Sequence, residues 1–128
     1  MKHSKAKFTL AQMEKGIRAG NPVVLAKALT LVESTLLQDQ RKGRKLIHRI
    51  PGKNSTVRVG ITGAPGVGKS TFIEAFGKYL TSTEKKVAVL AIDPSSQKTK
   101  GSILGDKTRM QDLSKDPRAF IKIGRAHV

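Results

Sequence analysis

Gly63-Ala64-Pro65-Gly66-Val67-Gly68-Lys69-Ser70 follows the pattern G-x-x-x-x-G-K-[ST], and each fixed position answers a need of a bound polyphosphate. Glycines admit backbone conformations in which successive N–H groups turn inward and form an anion-binding concavity. Lys69 supplies a charge able to reach β- and γ-phosphates, and the Ser70 hydroxyl suits a magnesium ion bridging them. Thr71 extends the same helical turn towards an α-phosphate. The chemistry would be that of a purine nucleoside triphosphate held with Mg2+. The bland alternative is a glycine-rich turn that binds nothing, which would leave the Lys69-Ser70 pair idle.

Two acidic residues could complete such a site. Asp93 follows an apolar run, so it emerges at the carboxyl end of a strand, the edge on which parallel sheets hold ligands. Position alone leaves two roles open for it, holding the magnesium shell through water or capping the following turn Pro94-Ser95-Ser96. Asp106 stands in the polar segment from Gly101 to Met110, between Lys107 and Arg109. That segment is either a loop sensing a γ-phosphate or an ordinary surface loop with compensating charges.

These residues require a strand–turn–helix frame. Val57 to Thr62 reads as a first strand, Ser70 to Leu80 as a helix, and Val87 to Ile92 as a near-continuous apolar strand buried on both faces. Strand, helix and second strand make a βαβ unit with a parallel sheet, and a short further strand is expected from Ala119 to Ile123. Upstream the period is helical. Thr9 and Gln12 form a capping box ahead of Leu10, Met13 and Ile17, and Gly20 stops the run. Asn21-Pro22 opens a second helix of about four turns with Leu25, Ala28, Leu29, Val32 and Leu36 as its apolar stripe. Gln40 to Arg49 reads as a third, shorter helix with Leu46, Ile47 and Ile50 as its apolar positions. The turn residues Pro51 to Ser55 mark the junction, giving a helical extension over 1–54 and an α/β core from 55.

Composition narrows the function classes. Of 128 residues 38% are hydrophobic and 27% charged, a globular balance with room for one ordinary domain. Without cysteine there are no disulfides or thiolate–metal sites, and His3, His48 and His127 share no helical face. The longest apolar run, Val87 to Ile92, falls far short of the ~20 residues that span a bilayer. No membrane role is expected, and the lack of an apolar leader at the N-terminus reads as cytoplasmic. The net charge of +16 raises nucleic acid as a partner. Twelve basic residues lie within the first 53 positions and thirteen beyond, with no dense stripe and few aromatics to stack on bases. A solvated basic surface is the reading preferred over nucleic-acid binding.

Three segments together carry a family likeness: Val57 through Thr71, Ala91-Ile92-Asp93-Pro94-Ser95-Ser96, and Gly101 through Met110. With Leu29 to Thr35 upstream, they resemble the methylmalonyl-CoA mutase-associated GTPase family, the MeaB/ArgK group, over most of residues 20 to 121. The resemblance implies a P-loop NTPase fold of α/β class and a G-protein chaperone. Such a protein binds and slowly hydrolyses GTP while guarding cobalamin delivery to methylmalonyl-CoA mutase. Carried over residue by residue, Gly63, Ala64, Pro65, Gly66, Val67, Gly68, Lys69, Ser70 and Thr71 would form the phosphate loop. Lys69 would act catalytically, and Ser70, Asp93 and Asp106 would serve the magnesium and switch region. Lys100 departs from the family's usual glycine.

The family continues into a second switch, an N-K-x-D guanine motif and a dimerisation region, none of which occurs in these 128 residues. The expectation is therefore a truncated GTPase core over 55–121 with a non-family tail over 122–128, whose full-length form would be a homodimer. A sheet cut short leaves apolar faces exposed, so low stability is expected too. Two other functions compete with the GTPase: a kinase or transport-system ATPase of LAO/AO type using the same loop, and a non-catalytic basic interaction module.

Overall fold

The computed structural model describes residues 7–53, 55–93 and 110–125, the side chains of Asp93 and Arg125 excepted. The chain forms two compact units, residues 1–58 and 59–128.

In the first unit α1 (Leu10–Arg18), α2 (Pro22–Glu33) and α3 (Leu37–Arg49) pack around Met13, Val24, Ala28 and Leu46. The predicted starts hold. The Thr9 hydroxyl accepts from the Gln12 N–H at 3.1 Å, while the Gln12 side chain accepts from the Thr9 N–H at 2.9 Å. Asn21 Oδ1 accepts from the Val23 and Val24 amides, with Pro22 in the first turn where its missing N–H costs nothing. Gly20, at φ 76°, ends α1.

The buried face of α2 differs from the predicted stripe. Val24 and Ala28 are buried while Val32 and Leu36 are 41% and 58% exposed, and the helix ends at Glu33. The cause lies on α1. Gly16 carries no Cβ, and one built there would stand 2.7 Å from both Val24 methyls, so Val24 enters the space that Gly16 leaves and turns the helix with it. Of the neighbouring apolar positions of α3, Leu46 faces the core and Ile47 is 54% exposed. α3 also begins earlier than predicted, at Leu37, after Ser34 accepts from the Leu36 N–H and donates to Asp39.

The second unit contains α4 (Lys69–Ser82), β1 (Val87–Asp93), α5 (Gln111–Ser114) and β2 (Ala119–Arg125). β1 and β2 pair in parallel, Val87 opposite Ala119 through Asp93 opposite Arg125, so the parallel neighbour of β1 is the further strand expected near Ala119 and not the first strand of the expected βαβ unit. β2 runs two residues past its predicted end. Two expectations fail. Val57 to Thr62 forms no strand, and Val57, Val59 and Ile61 are 83%, 63% and 39% exposed, because no described strand offers this segment a ladder. β1 is not buried on both faces either. Val87, Val89 and Ala91 are half-buried, whereas Leu90 and Ile92 point the other way and are 65% and 72% exposed, as period-2 alternation demands once one face alone is covered.

Candidate phosphate-binding loop

The loop from Gly63 to Gly68 is shaped by two residues in left-handed backbone. Ala64-Pro65-Gly66-Val67 closes with the Val67 N–H donating to the Ala64 carbonyl at 3.4 Å. With proline second and Gly66 at φ 81° third, it has the make-up of a type II turn. Gly68, at φ 92° and ψ 22°, is the N-cap of α4. A Cβ at Gly66 or Gly68 would meet nothing within 4 Å, so glycine is needed there for conformation and not for space.

The N-cap residue, a glycine, offers α4 no side-chain cap. The Phe72 N–H bonds back to the Gly68 carbonyl at 2.9 Å, closing the first turn, and the amides ahead of it lie at the positive end of the helix. Lys69 folds back over the loop, its Nζ donating to the Gly63 carbonyl oxygen at 2.5 Å. A Cβ on Gly63 would stand 3.0 Å from Val67 Cγ2, so Gly63 makes room for the Val67 side chain, whereas the Lys69 stem would remain at ordinary contact distance. Residues 63–68 and Thr71 are exposed, and Lys69 and Ser70 half-buried, leaving the loop open to solvent.

Asp93 ends β1, at the carboxyl edge of the parallel pair. Asp106 and Lys100 lie outside the described residues. Among those residues no group of His, Cys, Asp or Glu forms a metal cluster by itself, and the oxygen donors suggested by the sequence, Ser70 and Asp93, come from separate elements. Hard oxygen donors of this kind suit Mg2+, which takes few protein ligands and completes its shell with phosphate and water.

Sequence reasoning missed Glu74. Its Oε1 accepts from the Asp112 and Leu113 amides, each at 3.1 Å, and its Oε2 from Leu113 at 3.3 Å. The carboxylate thus caps the start of α5, whose own N-cap Met110 has no side-chain acceptor. No local pattern could reveal it, since donor and acceptor stand 38 residues apart. Further along α4 a shallow depression of about 360 Å3, lined by Lys78, Asp112, Lys115, Asp116 and Pro117, lies away from the loop. There the Thr81 hydroxyl first, then the Arg118 N–H and the Lys78 ammonium, hold the Asp116 carboxyl down at about 2. Lys78 Nζ lies 3.1 Å from Asp116 Oδ2 and the Arg118 amide 3.0 Å from Oδ1.

Comparison with known proteins agrees with this geometry. The family described as "Methylmalonyl Co-A mutase-associated GTPase MeaB" matches residues 25–126. The chain is 51% identical over 115 residues to "GTPase ArgK" of Escherichia coli (strain K12), covering 89% of this chain and 35% of that protein. It is 47% identical over 118 residues to "Methylmalonic aciduria type A homolog, mitochondrial" of Mus musculus, covering 84% and 28%. A solved structure titled "Crystal structure of LAO/AO transport system kinase" superposes with a TM-score of 0.71 at 39% identity, over 91% of this chain and 34% of that one. The chain thus spans about a third of the length of the relatives it matches. Among the described residues no helix is long and apolar enough to cross a membrane.

Proposed function

The chain belongs to the family of methylmalonyl-CoA mutase-associated GTPases of MeaB type, and from that premise we propose that residues 63–71 bind GTP with magnesium and support its hydrolysis. The observation that carries the reading is the backbone of the loop itself. Gly66 and Gly68 hold left-handed conformations ahead of a helix with no side-chain cap, so its N-terminal amides are available to phosphate oxygens.

Lys69 supports the same reading. Its ammonium rests on a neutral carbonyl, that of Gly63, and a phosphate oxygen is the stronger acceptor because the bond is then charged at both ends. Nucleotide entry exchanges one partner for the other, and the freed lysine neutralises charge on the β- and γ-phosphates as the γ-phosphoryl passes to water. Magnesium would supply Lewis-acid charge that offsets the negative charge of the phosphates. Ser70, Asp93 and Asp106 are the residues proposed to hold it. In a protein of the relatives' full length the activity would assist a cobalamin-dependent methylmalonyl-CoA mutase, and a homodimer is proposed for that form. The relatives named for methylmalonic aciduria support the mutase link, and a cytoplasmic setting is proposed on the sequence alone.

The neighbour titled a transport system kinase favours a second reading, in which the same loop serves ATP. Binding of fluorescent GTP and ATP analogues, with and without magnesium and with Lys69→Ala as control, separates the two. Saturable, magnesium-dependent binding that prefers guanine and is weakened in Lys69→Ala supports the GTPase reading. Preference for adenine supports the kinase reading. No binding by a cooperatively folded chain removes both.

A further inference from the structure

Helix α3 carries Arg41, Lys42, Arg44, Lys45, His48 and Arg49, and the fold sorts them into two groups. Lys42 and Arg49 bind within their own unit. Lys42 Nζ donates to the Phe8 carbonyl at 2.8 Å, and Arg49 lies 3.9 Å from Glu14, which also pairs with Arg18. The others turn outward. Gly43 and Leu46 are the buried positions of α3, and Leu37, Arg41, Arg44 and His48, spaced i, i+4, i+7 and i+11, make up the opposite face. Lys45 flanks that stripe on one side and Ile47 on the other, and all six are exposed, Leu37 to 73%.

A helix surface that only meets water ordinarily mixes charges of both signs, as α1 does with Glu14 four residues before Arg18. The outer face of α3 has one sign. The helix's acid, Asp39, lies off the stripe and accepts from the Ser34 hydroxyl at 2.8 Å, and among the described residues no carboxylate pairs with Arg41, Arg44 or Lys45. Like charges three and four residues apart repel along a helix, and carboxylates brought by another molecule would relieve that repulsion.

We infer that this face of α3 docks an acidic surface of a different protein, one that sets aspartate or glutamate carboxylates against Arg41 and Arg44 and an apolar side chain against Leu37. Three considerations choose that occupant. Arginine beside exposed aliphatic side chains suits a protein interface, whereas contacts to a phosphate backbone use cations and polar groups and gain nothing from Leu37 and Ile47. A second copy of this chain, at net charge +16, would be repelled. An anionic membrane takes up a helix whose apolar face is free, and α3 turns that face, through Leu46, into the core of its own unit. The docking face lies wholly on the helical unit, so it stands or falls apart from the nucleotide site.

Titration of the full chain with a synthetic amphipathic helical peptide of leucine and glutamate, at about 0.15 M ionic strength, tests the docking, with a DNA duplex of equal formal charge alongside. Arg41→Gln/Arg44→Gln is expected to weaken peptide binding about 10-fold, the worth of two exposed charge pairs. Leu37→Ala should weaken it about 3-fold. Lys85→Gln/Lys86→Gln removes the same charge from exposed positions of the other unit and should leave affinity within about 2-fold of wild type. Equal losses in the two double variants would mean attraction to net charge alone and overturn the inference. Tighter binding of the duplex than of the peptide overturns it too, as does a folded wild-type chain that binds no peptide. Amide shifts in the wild-type chain give a check that needs no variant. Peptide-induced shifts concentrated at residues 37–48 support the docking, and shifts spread evenly over both units overturn it.

Discussion

Gly77 and Leu113 meet so closely that a Cβ on Gly77 would lie 2.6 Å from Leu113 Cδ2 and 2.9 Å from Cδ1. This contact seats α5 on α4 where Leu113 is wholly buried, and it explains a glycine in the middle of a helix, a position that otherwise favours alanine. Helix propensity alone predicts that Gly77→Ala stabilises the chain by about 1 kcal/mol. Overpacking costs about 1–3 kcal/mol, so a net loss of about 1 kcal/mol is expected in urea unfolding. Leu113→Ala should cost about 2–5 kcal/mol, and adding Gly77→Ala to it should recover up to about 1 kcal/mol, since the clash is gone and the helix-propensity gain remains.

Gly68→Ala should weaken nucleotide binding and lower stability by about 1–2 kcal/mol, because alanine in left-handed backbone sets its Cβ against the following carbonyl. Gly60→Ala is the control. It too has open space around it, but its φ lies outside the left-handed region, so unfolding and binding should stay at wild-type values.

Glu84 ends α4 in the left-handed conformation, φ 64°, with its N–H on the Thr81 carbonyl and the Lys85 N–H on that of Leu80. This is a Schellman closure with glutamate where glycine is favoured. The Arg118–Glu84 ion pair spans 4.0 Å with the carboxylate 84% exposed, so it offsets little. Glu84→Gly should therefore raise stability, by about 0.5–1 kcal/mol, read as a higher urea midpoint.

Asp116 makes stability depend on acid. Its carboxyl is depressed from 3.8 to about 2 in the fold by the Thr81 hydroxyl, the Arg118 N–H and Lys78. A group depressed in this way binds protons more readily in the unfolded chain, so its contribution is fully present above pH 3.8 and is lost as pH falls through about 2. Melting temperatures of wild type and Asp116→Asn, followed from pH 5 to pH 2, should differ most at pH 5 and converge at the acid end.

Lys69→Ala should leave the loop backbone intact, because Gly66 and Gly68 and not the lysine shape it. Melting should shift little, since among the described residues the side chain ties to the exposed Gly63 carbonyl, while nucleotide affinity falls by about 10- to 100-fold, the worth of one charge-assisted bond.

Much of this protein was legible because its causes are local. The capping box at Thr9, the Asn21-Pro22 start and the Gly63–Ser70 loop each depend on residues within a few positions of one another, so type and spacing suffice. The apolar strand from Val87 and the further strand from Ala119 were legible too, and they pair in parallel. What tertiary structure alone decided involves partners far apart in the chain. Val57 to Thr62 has strand-forming residues, yet a strand exists only where another backbone accepts its hydrogen bonds, and none among the described residues does. The face that α2 buries was chosen by the missing side chain of Gly16, the acidity of Asp116 by Thr81, and the start of α5 by Glu74, 38 residues before it. Periodicity can say that a helix has an inner face. Where that face turns, and which carboxylate ends up beside which amide, depends on steric fit and desolvation between segments that meet only after the chain has folded.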